Sequence, residues 1–367
     1  MWGVAKNTFV QIIAKVIVIF ISFLLIRLIT GTLGREGYGV YAFVTAVILL
    51  FATVADWGTS IIAVREASRE EDVRPKIFGT TIFVRFILAL VAFVLINVFV
   101  RIYSPWESFV VSLTIGSLVL LFLSIKTSMV VVLQTFLRFN RAAFIEIVGA
   151  VSFLLIVMVL IKNSGGVNNV IIAWVLSSIV AAILAAVVGW GVAKGKFGID
   201  KGVLKNLVKE SLPMGLFLLF FSIYNRVDII ILQHFSGIGD VAIYNLAYKV
   251  HDNLVLGAAF LMGSAFPVIS RMYANGDANE MRIFYQKLFG LITLGGVAVA
   301  FIFFFLAPAV IQLLTGREFA QFSDSVLALK ILVFATFVSY LNHLTGYSLI
   351  AFGKQKSVMV MAIFALA

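Results

Sequence analysis

Seven basic side chains fall inside stretches of this chain that are otherwise apolar enough to span a membrane: Lys15, Arg27, Arg85, Lys126, Arg226, Lys249 and Lys330. Holding a Lys or Arg against lipid at mid-bilayer costs about 2.5–3.5 kcal/mol on insertion scales, so seven would cost on the order of 20 kcal/mol. These residues must therefore face protein or a water-filled cavity. Four acids, Asp56, Glu146, Asp228 and Asp252, share the same stretches, which leaves the interior net positive. A cationic cavity within a membrane protein suggests a path for an anion.

Spacing sorts the candidates. In the first apolar stretch Asn7, Gln11, Lys15 and Ser22 fall within about 80° of one another at 100° per helical residue. That stripe faces a cavity or forms a polar seam against a neighbouring helix. Lys15 lies near mid-membrane, too deep to snorkel easily. Arg27 lies on nearly the opposite face, close to the other end, where snorkelling competes with ligand contact. Ser222, Arg226 and Gln233 fall within about 40° in a later stretch. Asp228 points away from Arg226 and needs a partner on another helix. Asn245, Tyr248, Lys249 and Asp252 share one face, and Lys249 and Asp252, three apart, can pair with each other. Arg85 shares a face with Thr81 and can either bind a phosphate or snorkel. Lys126 and Lys330 lie near span ends and read as interfacial. Asp56 opens "DWG" and reads as a structural residue at a helix end, with proton or sodium coupling as the alternative. Thr336, Tyr340, His343 and Tyr347 fall within about 60°, a face for sugar hydroxyls or a packed seam.

The elements that must carry these residues follow from composition. Hydrophobic residues make up 62% of the 367 and charged residues 12%. That is about half the charged share of a soluble domain, and the mean hydropathy is +1.11. The apolar runs are about 20 residues long, which predicts an all-α polytopic membrane protein rather than a barrel of short alternating strands. Spans are expected at roughly 7–29, 38–60, 79–100, 109–133, 143–161, 168–191, 212–233, 241–263, 287–307 and 327–350. An eleventh begins near Ser357 and is cut off at Ala367, so about 10–11 transmembrane helices are expected. Alternate loops carry 17 basic residues, among them Arg65, Arg69, Arg74, Lys76, Arg138, Arg141 and Lys194, against four (Arg35, Arg101, Lys162, Arg317) in the loops between. By the positive-inside rule the N-terminus is cytoplasmic and the protein is a multi-pass protein of the cytoplasmic membrane. The same rule accounts for the net charge of +11 without nucleic acid as a partner. The first apolar run reads as a retained span, not a removed signal peptide.

Several chemistries are not supported. There is no cysteine, and the three histidines are far apart, so no metal site is expected and no cofactor is implied. Gly34-x-x-Gly37-x-Gly39 lacks the βαβ context of a dinucleotide fingerprint. No Walker loop and no cytoplasmic D-x-D pair is present, and the outer connections are too short for a catalytic domain. The longest inner connection, 192–211, places Lys201, Lys205 and Lys209 opposite Val203, Leu204, Leu207 and Val208. It is expected to be an amphipathic helix at the inner leaflet joining two halves. The expected division is an N-lobe over 1–191, this linker over 192–211, and an incomplete C-lobe over 212–367.

An internal repeat supports two halves. "LGREGYGVYAFVTAV" (Leu33–Val47) and "SGIGDVAIYNLAYKV" (Ser236–Val250) are similar at an offset of 203 residues, with Gly34 matching Gly237, Tyr41 matching Tyr244 and Val47 matching Val250. Each opens a span and is followed by a Ser-Arg pair, Ser68-Arg69 and Ser270-Arg271. Both copies run in the same direction, so the repeats are parallel. In these segments, and in "DWGTSIIAVREASR", "RVDIIILQHF", "FPVISRMYANGD", "LTGREFAQFSDSVLALKIL" and "LIAFGKQKS", the chain resembles the oligosaccharide flippases, or polysaccharide transporters, of the multidrug/oligosaccharidyl-lipid/polysaccharide (MOP) exporter superfamily. The resemblance covers both halves in order. It implies two six-helix lobes, from which this chain departs by lacking the last one to three helices, as a truncated product or partial sequence would.

The resemblance also implies the activity: a flippase, not an enzyme, that moves a polyprenyl (pyro)phosphate-linked oligosaccharide across the cytoplasmic membrane by alternating access through a cationic central cavity. Lys15, Arg226, Lys249 and Arg85, with Asn7, Gln11 and Asp252, are the expected cavity residues. Asp56 and Asp228 are the expected coupling or structural acids. The implied partners are the lipid-linked oligosaccharide, membrane lipids and glycan-assembly proteins. A small-molecule exporter of the same superfamily is the alternative, but it implies an acidic cavity, whereas the first span holds Lys15 and no acid. A membrane glycosyltransferase or polymerase would need a catalytic loop that is not visible.

Overall fold

The computed structural model describes residues 2–163, 165–194, 197–275, 278–352 and 354, with 2–9, 163, 267, 274 and 278 described by backbone alone. Among the described residues the chain is all-α, with no strand. In order come α1 (Trp2–Asp56), α2 (Thr59–Arg69), α3 (Arg74–Ile102), α4 (Val110–Ser117), α5 (Val119–Thr135), α6 (Phe139–Asn163), α7 (Val167–Ala193), α8 (Lys201–Ser236), α9 (Ile238–Ala274), α10 (Ala278–Thr315) and α11 (Asp324–Ala351). Short 3-10 turns at Ser104–Phe109 and Gly316–Phe322 precede α4 and α11. A backbone in lipid must satisfy its polar groups within its own segment, and helices do this. The 29 residues of α3 extend about 43 Å at 1.5 Å per residue, longer than a hydrocarbon core of ~30 Å.

Nine stretches among the described residues are long and apolar enough to cross a membrane. The first of them contains two spans, because α1 breaks at Gly34, so the first ten expected spans are present. The eleventh, expected from Ser357, lies outside the described residues. The break has a simple cause. Gly34 takes φ 63° and ψ −165°, a region essentially closed to residues with a Cβ. Its partner in the repeat, Gly237, takes φ 94° and ψ 175° between α8 and α9. The two matched glycines thus make the same kind of helix break at matching points.

Residues Met1–Ile238 form one compact unit and Gly239–Ala367 a second. The first unit packs α1 through α8. Its core includes Ile62, Phe78, Val132 and Ile145, all buried. The second packs α9, α10 and α11 around Ala258, Met262, Ile292, Tyr340 and Leu344. Large apolar side chains such as Phe20, Val98, Leu294 and Phe305 stay exposed. That pattern is costly in water and natural against lipid, where apolar surface needs no burial.

Two elements differ from the sequence reading. The second span ends at Asp56, because Trp57 (φ 44°) and Gly58 (φ 74°) turn the chain into the separate helix α2. The linker helix expected to lie at the inner leaflet is instead the first three turns of α8, which runs unbroken from Lys201 to Ser236 with Pro213 inside it. Most of its apolar face packs on protein, with Val208 left 50% exposed. Leu207 is buried in the first unit's core, with Val203 and Leu204 against it. Polar contacts fix the same segment. Asp200 caps α8 by accepting from the Gly202 and Val203 amides at 2.9 and 3.0 Å. It also pairs with Lys76 at 3.1 Å, and Arg65 pairs with Glu210 at 3.2 Å. Gly215 then lets α8 pass over the DWG turn, since a Cβ there would lie 2.6 Å from the Trp57 ring. Amphipathic spacing alone does not reveal whether the apolar face meets lipid or protein, and here most of it meets protein.

Candidate functional site

A buried polar cluster in the first unit joins four helices, α1, α2, α3 and α5. Arg85 of α3 is 3% exposed. Its Nη2 lies 2.7 Å from Asp56 Oδ1, at the end of the second span. Its Nη1 donates to Ser60 Oγ of α2 at 2.6 Å, and its Nη2 donates to Thr127 Oγ1 of α5 at 2.5 Å. Ser60 in turn donates to Asp56 Oδ1, and Thr127 donates to the Leu123 carbonyl at 2.6 Å. The group borders a cavity of about 260 Å³ with Ala52, Leu120 and Ser124. Arg85 Nε is buried without a partner among the described residues. A buried charge must be paired to be tolerated, and Asp56 is that partner. Neither sequence reading of Arg85, phosphate ligand or snorkelling residue, included this carboxylate. The pairing was illegible because 29 positions separate Arg85 from Asp56. Ser60, four residues after Asp56, was the one local signal that a second polar group lay on that side.

Lys15 occupies a different place. It lines a cavity of about 260 Å³ between α1, α5 and α6, together with Gln11, Gln134, Phe139 and Glu146. Ala14 beside it is buried, while Gln11 and Lys15 are exposed. The cavity's carboxylate is engaged elsewhere, because Glu146 Oε1 pairs with Lys126 Nζ at 2.9 Å. Lys126, read as interfacial, is therefore one half of an ion pair between α5 and α6. Lys15 forms no ion pair among the described residues. With Lys126 and Glu146 cancelling, the cavity keeps one positive charge and the amides of Gln11 and Gln134. Gln134 was missed by the sequence reading, and nothing local to the fourth span marked it. Asn7 lies among the residues described by backbone alone.

The other candidates are placed singly. Arg226 on α8 is half-buried, forms no ion pair among the described residues, and is not among the residues lining the Lys15 cavity. Asp228 Oδ1 accepts from the Ile229 amide at 2.8 Å. Lys249 and Asp252 are half-buried on α9, one turn from the buried Asn245. The polar face of α11 lies against α9. His251 Nδ1 is 2.7 Å from Thr336 Oγ1, and Tyr340 Oη donates to the Leu254 carbonyl at 3.1 Å. For Thr336 and Tyr340 this is a packed seam. Lys330 sits with its ammonium 5.0 Å from the Phe304 ring centroid.

A polytopic helical fold with internal parallel repeats and charge at membrane depth defines a multi-pass membrane transporter. Residues 4–273 match the family described as Polysaccharide biosynthesis protein, and the chain belongs to that family. Residues 213–367 also match MatE. A putative O-antigen transporter from Shigella dysenteriae is 24% identical over 345 residues, covering 89% of this chain and 81% of that protein. Among solved structures, an inward-facing multidrug resistance MATE transporter of the MOP superfamily matches with a TM-score of 0.77 at 17% identity, over 96% of this chain and 87% of the other. A MOP superfamily transporter from Pyrococcus furiosus matches with a TM-score of 0.63 at 16% identity, over 99% of this chain and 84% of the other. At these identities the solved structures establish the shared fold alone, and the family match places the chain among the polysaccharide biosynthesis proteins.

Proposed function

We propose that this transporter is an oligosaccharide flippase, which moves a polyprenyl (pyro)phosphate-linked oligosaccharide from the inner to the outer leaflet of the cytoplasmic membrane. Its N-terminus lies in the cytoplasm. Lys15 and Arg226 hold the anionic headgroup, assisted by Gln11, while the lipid tail stays in the bilayer. Point cations in a low-dielectric cavity hold a phosphate strongly, and alternating access carries it between leaflets. No covalent bond changes. Membrane potential or a cation gradient supplies the energy, and glycan-assembly proteins deliver and receive the cargo. Arg85 leaves the headgroup set, because Asp56 already neutralises it. The pair belongs instead to the packing of α1, α2, α3 and α5.

The observation that carries this reading is Lys15, a cation within an apolar span that lines a cavity whose carboxylate is held by another lysine. The family and the O-antigen transporter relative support the cargo. A cationic drug would be repelled by the same site. The test is genetic. Cells deleted for this gene should accumulate lipid-linked oligosaccharide on the cytoplasmic side. The wild-type gene should clear it and Lys15→Ala should not. Normal lipid-linked glycan distribution in the deletion strain would refute the proposed cargo.

A further inference from the structure

A second cationic site lies where α5 and α7 end and α6 begins, on the face expected to be cytoplasmic. Arg138, Arg141 and Lys194 line one open cavity of about 320 Å³ with Phe136 and Gly191. All three cations are exposed, and none forms an ion pair among the described residues. Arg74, by contrast, is paired, with its guanidinium 5.4 Å from the Phe136 ring centroid and bound to Glu71 at 2.9 Å. Leu137, two residues beyond α5, takes φ 54° and Lys194 caps α7 at φ 55°, both in the left-handed region that residues with a Cβ rarely adopt. Gly191 leaves the floor open.

A second cavity of about 390 Å³ shares Arg141 and Gly191 and continues along Phe144 and Val187. Those two side chains are 55% and 67% exposed. A cationic pocket with room for a phosphate therefore adjoins an open, mostly apolar groove. Trp190, 56% exposed and against Phe197 with centroids 4.9 Å apart, stands at the rim, as aromatic side chains do at a membrane interface.

We infer that this pocket binds the headgroup of an anionic phospholipid, with one acyl chain in the Phe144–Val187 groove. The chemistry required is a phosphodiester joined to a hydrocarbon chain. Free phosphate would satisfy the cations and leave the groove empty. The site is separate from Lys15 and Arg226, so its occupancy does not depend on the transport reading. On the scale for basic residues near an anionic surface, each cation strengthens binding about fivefold, so three give on the order of 100-fold.

The test uses the whole protein in phosphatidylcholine vesicles containing increasing phosphatidylglycerol with brominated chains. Tryptophan quenching is read as the difference between the wild type and Trp190→Phe. Quenching of Trp190 should saturate at a low mole fraction of brominated phosphatidylglycerol. Brominated phosphatidylcholine at the same fraction should quench no more than random contact predicts. Arg138→Gln/Arg141→Gln/Lys194→Gln should need at least tenfold more phosphatidylglycerol, while Arg138→Lys/Arg141→Lys/Lys194→Arg should match the wild type. Equal quenching by both lipids in the wild type would overturn the site, whether or not the neutral variant folds. Relief of quenching by millimolar inorganic phosphate would show that the pocket recognises free phosphate, and would equally overturn the lipid.

Discussion

Breaking the Asp56–Arg85 pair tests whether Arg85 is structural. Arg85 is 3% exposed and makes an ion pair at 2.7 Å and hydrogen bonds at 2.6 and 2.5 Å. Arg85→Ala leaves Asp56 with Ser60 as its recorded side-chain partner and opens space beside an existing cavity of about 260 Å³. Removing one member of a buried pair costs about 3–5 kcal/mol. At roughly 2–4 °C per kcal/mol for a unit of this size, the melting temperature should fall by about 6–20 °C. Asp56→Leu alone should cost a similar amount, because it strands the guanidinium. The double variant Asp56→Leu/Arg85→Met removes both charges and replaces them with apolar volume. It should recover much of the loss, giving a coupling energy of at least ~1 kcal/mol. The assay is thermal unfolding of the detergent-solubilised protein followed by fluorescence-detected gel filtration, with glycan export per folded molecule measured in parallel. A double variant less stable than either single would refute the pairing. A stable Arg85→Ala that had lost all export would return Arg85 to the headgroup site.

Further outcomes follow from other parts of the structure. Lys15→Ala should weaken cargo binding about 10- to 150-fold, the loss of one charged hydrogen bond of ~1.5–3 kcal/mol, while Lys15→Arg retains most of it. Titration with a soluble pyrophosphate-linked glycan would measure both. Gly34→Ala and Gly237→Ala should each destabilise the fold by about 1–3 kcal/mol, because both glycines hold conformations that a Cβ strains, and thermal unfolding reads this directly. The Asp200 carboxyl is held below its ordinary pKa, first by the Val203 amide and then by Lys76. Its stabilising contribution is therefore complete above the unfolded value of 3.8 and is lost as pH falls through the lower folded value. Asp200→Ala should remove that pH dependence and speed tryptic cleavage after Lys194 at neutral pH. Cleavage unchanged from the wild type would argue that the cap does not hold the linker.

How much of this was legible depended on distance along the chain. The spans could be read because lipid forces each backbone segment to satisfy itself, which leaves an uninterrupted apolar run for each crossing. The repeat could be read at Gly34 and Gly237 because a positive φ demands the same residue in both places. The ion pairs could not. Arg85 meets Asp56, and Lys126 meets Glu146, only after helices pack. Periodicity states which face a side chain takes and not what lies opposite. The linker failed for the same reason. Val203, Leu204 and Leu207 gave a correct helix with an apolar side, and the partner of that side was set by the first unit's core. Lys15 was singled out from its place in the first apolar run, where a lysine would be far from either surface, and its neighbours Gln134 and Glu146 come from helices that the run does not reveal.

The most direct test of the central claim is translocation in purified vesicles. The protein would be reconstituted with a fluorescent polyprenyl pyrophosphate-linked oligosaccharide, and its appearance in the opposite leaflet followed by lectin capture. The wild type should move the lipid, and Lys15→Ala/Arg226→Ala should insert normally and move it at the rate of protein-free vesicles. Translocation by the double variant at the wild-type rate would contradict a phosphate headgroup held by these cations.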